Sequence, residues 1–291
     1  MKVLNFGSLN LDYVYQVDHM TAAGETLASL DMEIFCGGKG LNQSIALAKA
    51  GAEVYHAGCI GEDGEALVRV LAEAGVRTDY VKTLPGKTGH AIIQIDKTGQ
   101  NCILLYGGAN RAVTEDYIEE VLSHFEKDDI LLLQNEINLL PVIIDKAYQR
   151  GMKIILNPSP YDEHLKACDF GKISMFLLNE IEGEQITGQK EPAAILQALA
   201  QLYPKTAVVL TLGADGVCYC DENTQCRQDI YPVDVVDTTA AGDTFTGYFI
   251  AATLEGKPVD ECLRFASKAS SIAVGRKGAA PSIPQRSEVI V

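Results

Sequence analysis

Positive charge is in short supply: 24 Lys and Arg stand against 39 Asp and Glu over 291 residues, a formal net charge of -15. Binding a phosphate backbone calls for a basic face, so nucleic acid is excluded as the main partner. A phosphorylated small molecule is not, because a site can be locally positive inside an acidic chain. No apolar run approaches the length of a membrane span, which predicts no membrane association. Strand-like Val3–Phe6 also follows Met1-Lys2 too closely for a charged and then apolar leader. The eight cysteines form no framework and several sit in apolar runs such as AGCIG and NCILL. Reduced, buried thiols in a cytoplasmic protein are the expectation. The one cluster, Cys218, Cys220 and Cys226, lacks both C-x-x-C spacing and a fourth zinc ligand. It reads as a strand with two cysteines on one face, then a turn and a second strand. No Walker A loop is present, and no G-x-G-x-x-G follows the first strand, which argues against a Rossmann dehydrogenase. Internal repeats, low-complexity tracts and linkers are absent as well.

Apolar material is plentiful, at 47% of residues, and it is organised. Short β-branched runs at 3–6, 54–59, 130–133, 153–156, 175–178 and 207–211 alternate with helical periodicity at 40–50, 65–74, 115–125, 139–150 and 193–202. Strands buried on both faces and separated by helices predict an α/β fold: a doubly wound, mainly parallel sheet with helices on both faces. Residues 12–36 and 88–106 break the rhythm with extended segments of mixed polarity. HAIIQID and NCILLY around Lys97–Gln100 give a hairpin signal. We expect a small antiparallel β-sheet lid on a single 1–291 domain. The lid's exposed apolar face would invite a second copy of the chain.

Three segments carry candidate chemistry. In Val235–Phe245, small residues lead into an apolar helix after a strand expected to end near Val236. Small side chains at a helix start let an anion approach free N–H groups, where the helix dipole favours negative charge. Asp243 then sits where a carboxylate can take a proton from an attacking hydroxyl. The alternative is that Asp simply favours a helix's first turn. Cys36–Gln43 is a glycine-rich turn that opens another helix, either a ligand loop or merely a flexible one. Asn10 and Asp12 follow the first strand and Glu136 follows the run ILLLQ, so all three lie at strand carboxyl ends, where α/β crevices bind ligands. Asn10 and Asp12 can equally be turn residues.

Together these segments resemble the ribokinase branch of the PfkB carbohydrate kinases. The match rests on GGKGxNQ at 37–43 and D-T-x-A-A-G-D at 237–243. GSLNLD at 7–12, GGAN at 107–110, LNPSP at 156–160, LLNEIE at 177–182, TLGADG at 211–216 and RKGAAPSIP at 276–284 extend it along nearly the whole chain.

That resemblance implies a sugar held by Asn10, Asp12, Gly38, Lys39, Asn42 and Glu136. It makes Asp243 the proton acceptor and the backbone of Ala240, Ala241 and Gly242 the anion hole. ATP is implied at Asn179, Thr211, Gly213, Gly216, Gly242 and Ser267, with Mg²⁺ organised by Glu182 through water. K⁺ is implied at Asp237, Thr239, Ala273, Arg276, Gly278 and Ser282. The implied reaction is phosphorylation of D-ribose on its 5-hydroxyl, by a homodimer joined through the lid sheets. Rival readings are a kinase of the same family acting on 2-deoxyribose, another pentose, a hexose or a nucleoside, and a non-catalytic sugar-binding regulator. His90 and Tyr106, on the lid strands, either reach the ligand or face outward, and Asn135 stands where an apolar residue is expected beside the sugar.

Overall fold

A computed structural model describes all of residues 1–291. In chain order the strands are β1 (Val3–Phe6), β2 (Asn10–Gln16), β3 (Asp31–Gly37), β4 (Val54–Ile60), β5 (Arg77–Thr83), β6 (Gly89–Ile95) and β7 (Asn101–Tyr106). They continue as β8 (Ile130–Gln134), β9 (Lys153–Asn157), β10 (Met175–Asn179), β11 (Ala207–Thr211), β12 (Val217–Cys220) and β13 (Gln225–Gln228). The helices are α1 (Lys39–Lys49), α2 (Glu65–Glu73), α3 (Glu115–Leu122), α4 (Leu140–Gln149), α5 (Glu180–Thr187), α6 (Pro192–Leu202), α7 (Ala241–Leu254) and α8 (Val259–Val274).

Nine strands form one sheet in the order β13-β12-β11-β10-β9-β8-β1-β4-β5, parallel except for β12 and β13 at one edge. Every residue of β1 and β8 is buried, as their unbroken apolar runs require. Successive side chains alternate between two cores, Val3 and Leu132 on one face, Leu4, Leu131 and Leu133 on the other. The first core is closed by α1, α2, α7 and α8, the second by α3, α4 and α6. With 34 and 31 buried residues they are nearly equal, so the sheet is central. From β1 the chain builds outward through β4 and β5, while β8 to β11 build the other way. The order therefore reverses between β1 and β8, which places a crevice beyond their carboxyl ends.

A second sheet, β3-β2-β6-β7, stands at that end of the molecule. Its β6–β7 hairpin closes where expected, with Gly99 N–H donating to the Asp96 carbonyl at 3.0 Å. The sheet is not wholly antiparallel: β2 and β6 run parallel in register from Asn10↔Gly89 to Gln16↔Ile95. Both strands leave the core in the same direction, β2 just after β1 and β6 after β5, so they cannot oppose one another.

No strand ends near Val236. The nearest strand stops at Gln228, Pro232 has no N–H to give a ladder, and residues 232–236 are exposed. Val236 and Asp237 instead donate their N–H groups to the Val274 carbonyl at the end of α8, at 3.0 and 3.1 Å. Cys218 and Cys220 share a face of β12, and Cys226, opposite Tyr219, faces the other way.

Candidate active site

The start of α7 is shaped by its small residues. Ala240 adopts φ 60°, ψ 9°, and the helix begins at Ala241. The N–H groups of Gly242 and Asp243 find no main-chain acceptor, as expected in a first turn. Space is open where a side chain on Gly242 would stand. Asp243, 6% exposed, is gripped by two amides of α1: Asn42 Nδ2 donates to Oδ2 at 3.1 Å and Gln43 Nε2 to Oδ1 at 2.9 Å.

The start of α1 depends on glycine. Gly38 has φ 94° and ψ 141°, and a Cβ there would stand 3.1 Å from Ser8 Oγ and 3.2 Å from Asn10 N. That turn delivers Lys39 N–H to Glu136 Oε2 at 2.9 Å. Ser8 Oγ–H donates to the same carboxylate oxygen and accepts from Gly40 N–H at 3.2 Å. A side chain on Gly37 would collide with the Asp12 carboxylate.

Acidic and basic groups face one another here, largely buried by the protein. Burial, and then the neighbouring Glu136, raises the Asp12 carboxyl from 3.8 to about 7. Burial also raises Glu136, against the opposing pull of Lys39 and the Ser8 hydrogen bond. For Lys39 burial favours the neutral form, but the carboxylates of Asp243, Glu136 and Glu182 outweigh it and its pKa rises. The arrangement holds one firm cation among carboxylates, suited to a ligand that is rich in hydroxyls and brings negative charge.

Asn10, Asp12, Gly38, Lys39, Asn42, Glu136, Asn179, Glu182, Thr211, Thr239, Ala240, Gly242 and Asp243 all line one cavity of about 550 Å³. Thr211 and Gly242 also border a second, more apolar cavity of about 400 Å³, together with Gly213, Gly216, Ala241 and Ser267. The two join into one long crevice through the shared Thr211, Thr238 and Gly242. Asp237, Ala273, Arg276, Gly278 and Ser282 line neither. Asp237 instead ties its loop together, accepting from Thr239 N–H at 2.8 Å and Gly278 N–H at 2.9 Å. The Ser282 hydroxyl donates to the Ala279 carbonyl, and Arg276 pairs with Glu288.

Asn179 and Glu182 form a capping box on α5. Asn179 Oδ1 accepts from the N–H groups of Ile181 and Glu182, while Glu182 Oε2 accepts from Asn179 N–H at 2.8 Å. The N-x-x-E spacing thus builds a helix start as well as a cavity wall. His90 and Tyr106 pair with each other on the lid face opposite to Asp12, Ala91 and Leu105, and they do not line the cavity. Asn135 donates to the Pro160 carbonyl at 2.6 Å and so fastens a wall of the cavity.

Several neighbours of the site were not evident in the sequence. Ala91, Ile93, Ile103 and Leu105 form the lid side of the cavity, and the two-residue alternation of β6 and β7 could have found them. Ser8 and Gln43 lie inside motifs already singled out, but nothing in one sequence says which carboxylate they serve.

The sequence pattern of the pfkB family carbohydrate kinases matches residues 1–286. A ribokinase from Haemophilus influenzae is 37% identical, over 98% of this chain and 95% of its own. Among solved structures, an Arabidopsis thaliana ribokinase complexed with ribose and ATP is 33% identical with a TM-score of 0.87, covering 99% of this chain and 97% of that one. A Cryptococcus neoformans ribokinase in complex with ADP is 30% identical with a TM-score of 0.88, covering 99% and 98%. With the reversal of strand order, the small second sheet and the crevice between them, these matches assign the chain to the pfkB family of carbohydrate kinases.

Proposed function

We propose that this chain transfers the γ-phosphoryl group of ATP to the 5-hydroxyl of D-ribose, with Asp243 as general base. One observation carries the reading: the Asp243 carboxylate and the free N–H of Gly242 open into the same cavity as the hydroxyl-binding set Asn10, Asp12, Lys39, Asn42 and Glu136. The relatives named ribokinase, one of them complexed with ribose and ATP, support ribose as the acceptor.

Ribose hydroxyls donate to the Asp12 and Glu136 carboxylates and accept from Lys39 and the amides of Asn10 and Asn42, with Gly38 lending its main chain. Asp243 accepts the proton of the attacking hydroxyl, a role worth roughly 10²–10⁴-fold. The main chain of Ala240, Ala241 and Gly242 wraps the transferring group; Ala241 N–H is held by the Thr238 carbonyl at 3.2 Å, and the free N–H of Gly242 donates to the group's oxygens, contributing about 3–4 kcal/mol of barrier lowering. The nucleoside occupies the more apolar cavity beside Thr211, Gly213, Gly216 and Ser267, and Asn179 stands toward its phosphates. Mg²⁺ fits beside Glu182 through water, since both carboxylate oxygens already accept from Asn179. When bound, it neutralises phosphate charge. K⁺ fits the oxygen-rich loops of Asp237, Thr239, Ala273, Arg276, Gly278 and Ser282, which the Asp237 carboxylate already holds together. The lid's outer face exposes Met32, Ile34, Ile92, Leu104 and Tyr106, and we assign it to a second copy in a cytoplasmic homodimer.

A coupled ADP-release screen over pentoses, hexoses and nucleosides, with and without K⁺, tests the reading. D-ribose should turn over fastest, and faster with K⁺ than without. Equal, negligible rates with every acceptor would overturn it.

A further inference from the structure

Beneath the cavity runs a buried chain of amides that ends on Asp243. Gln43 Nε2 donates to Asp243 Oδ1, and Gln43 Oε1 accepts from Gln134 Nε2 at 2.7 Å. Gln134 Nε2 also donates to Asn5 Oδ1 at 2.9 Å. Asn5 Nδ2 in turn donates to the Gly40 carbonyl and to Ser44 Oγ, both at 2.8 Å. Ser44 then lies 2.8 Å from His56 Nδ1. Asn5, Gln43, Ser44, Gln134 and His56 are all 0% exposed.

Each amide fixes the orientation of the next. The Gly40 carbonyl can only accept, so Asn5 must turn its NH₂ there and its Oδ1 toward Gln134. Gln134 then presents NH₂ to Gln43, which leaves Gln43 to present NH₂ to Asp243. This order leaves Gln134 Oε1 without a partner, packed against Gly7, where a Cβ would come within 2.4 Å. An unpaired buried acceptor costs stability, so the fold retains this orientation against a local penalty. Neither Gln43 nor Gln134 lines the cavity, so whatever they do for a ligand passes through Asp243.

We propose that Gln43 is a positioning residue that fixes the Asp243 carboxylate for reaction, and that Gln134 and Asn5 lock Gln43 in the orientation this requires. The proposal rests on the reading of Asp243 as general base. Asn42 holds the other oxygen, Oδ2, but it also faces the cavity, so its loss would disturb the ligand directly. Gln43 separates the two effects.

The test uses the full chain with Gln43→Met and Gln134→Met, each also in an Asp243→Asn background, assayed with D-ribose and ATP. Gln43→Met should lower kcat about 10–100-fold, the scale of a misplaced reacting group, and leave KM for ribose within about threefold. Gln134→Met should change kcat in the same direction by less. In the Asp243→Asn background, the further loss from Gln43→Met should shrink to less than about twofold, because the base it positions is gone. An undiminished loss there, or a rise in KM with kcat unchanged, overturns the proposal. Should Gln43→Met not fold, the isosteric Gln43→Glu takes its place, setting a carboxylate against a carboxylate with the same expected direction. A crystal structure of the variant decides independently of turnover. A displaced Asp243 carboxylate supports positioning, and an unmoved one refutes it. Absence of turnover in the unmodified protein would refute the kinase reading alone, since the crystallographic outcome stands by itself.

Discussion

Replacing Asp12 with Asn should stabilise the protein, and by more in mildly alkaline than in mildly acidic solution. Burial first, and then Glu136, lifts the Asp12 carboxyl from 3.8 to about 7 in the folded protein. A carboxyl raised in this way keeps its proton longer folded than unfolded. Folding therefore loses stability as pH climbs from the ordinary carboxylate value toward about 7, and no more beyond it. Between pH 5 and pH 8 the folded form forgoes about two pH units of titration, or roughly 2–3 kcal/mol. Asn titrates nowhere in this range, so the pH dependence that the Asp12 carboxyl brings is absent from the variant. The advantage of Asp12→Asn should thus grow by about 2–3 kcal/mol from pH 5 to pH 8. Urea denaturation without sugar or nucleotide measures it directly. Glu136→Gln, which removes the second cause, should recover part of the gain. An Asp12→Asn difference equal at both pH values, or a variant less stable at pH 8, would mean that the Asp12 carboxyl is not raised by burial in the folded protein. The same variant should bind ribose more weakly, because the site holds this strained carboxylate for its ligand.

Gly242→Ala meets no protein atom within 4 Å, so its Tm should stay within about 2 °C of the parent, while its methyl group should intrude on the proposed anion hole and lower kcat about 10-fold or more. Normal turnover in this variant would show that no phosphoryl group approaches there. Glu182→Ala loses half of the α5 capping box and should cost about 1 kcal/mol in urea denaturation. Glu182→Gln keeps an acceptor for Asn179 N–H, so its stability should hold while the Mg²⁺ concentration for half-maximal rate rises; an unchanged Mg²⁺ requirement would confine Glu182 to capping.

What could be read from the sequence follows from what burial does to residue choice. β1 and β11 lie where their apolar runs place them, because a strand covered on both faces has no use for polar residues. β5, RTDYVKT, lies at the sheet edge with no residue fully buried, and its polar residues conceal it. Val235-Val236 looks like a strand, but Val236 N–H is taken by the Val274 carbonyl at the end of α8, a partner that only the tertiary arrangement supplies. The D-T-x-A-A-G-D segment announced a helix, expected from about Thr244, and α7 begins three residues earlier at Ala241, because its small residues already form the first turn. Partnership across distance was not legible: Gln43 meets Asp243 from 200 positions away and Gln134 from 91. Asn179 and Glu182 were legible as a pair, yet their capping of α5 was hidden by the attraction of a metal role. For His90 and Tyr106, only the register of β6 against β2 and β7 settles that they face outward.

The most direct test compares ADP formation by the parent chain and by Asp243→Asn with D-ribose at saturating ATP and Mg²⁺, alongside ribose binding by calorimetry. The variant should bind ribose with affinity similar to the parent's and lose roughly 10²–10⁴-fold in kcat. Near-normal turnover by Asp243→Asn would contradict this, because the carboxylate at the start of α7 would then not be the base.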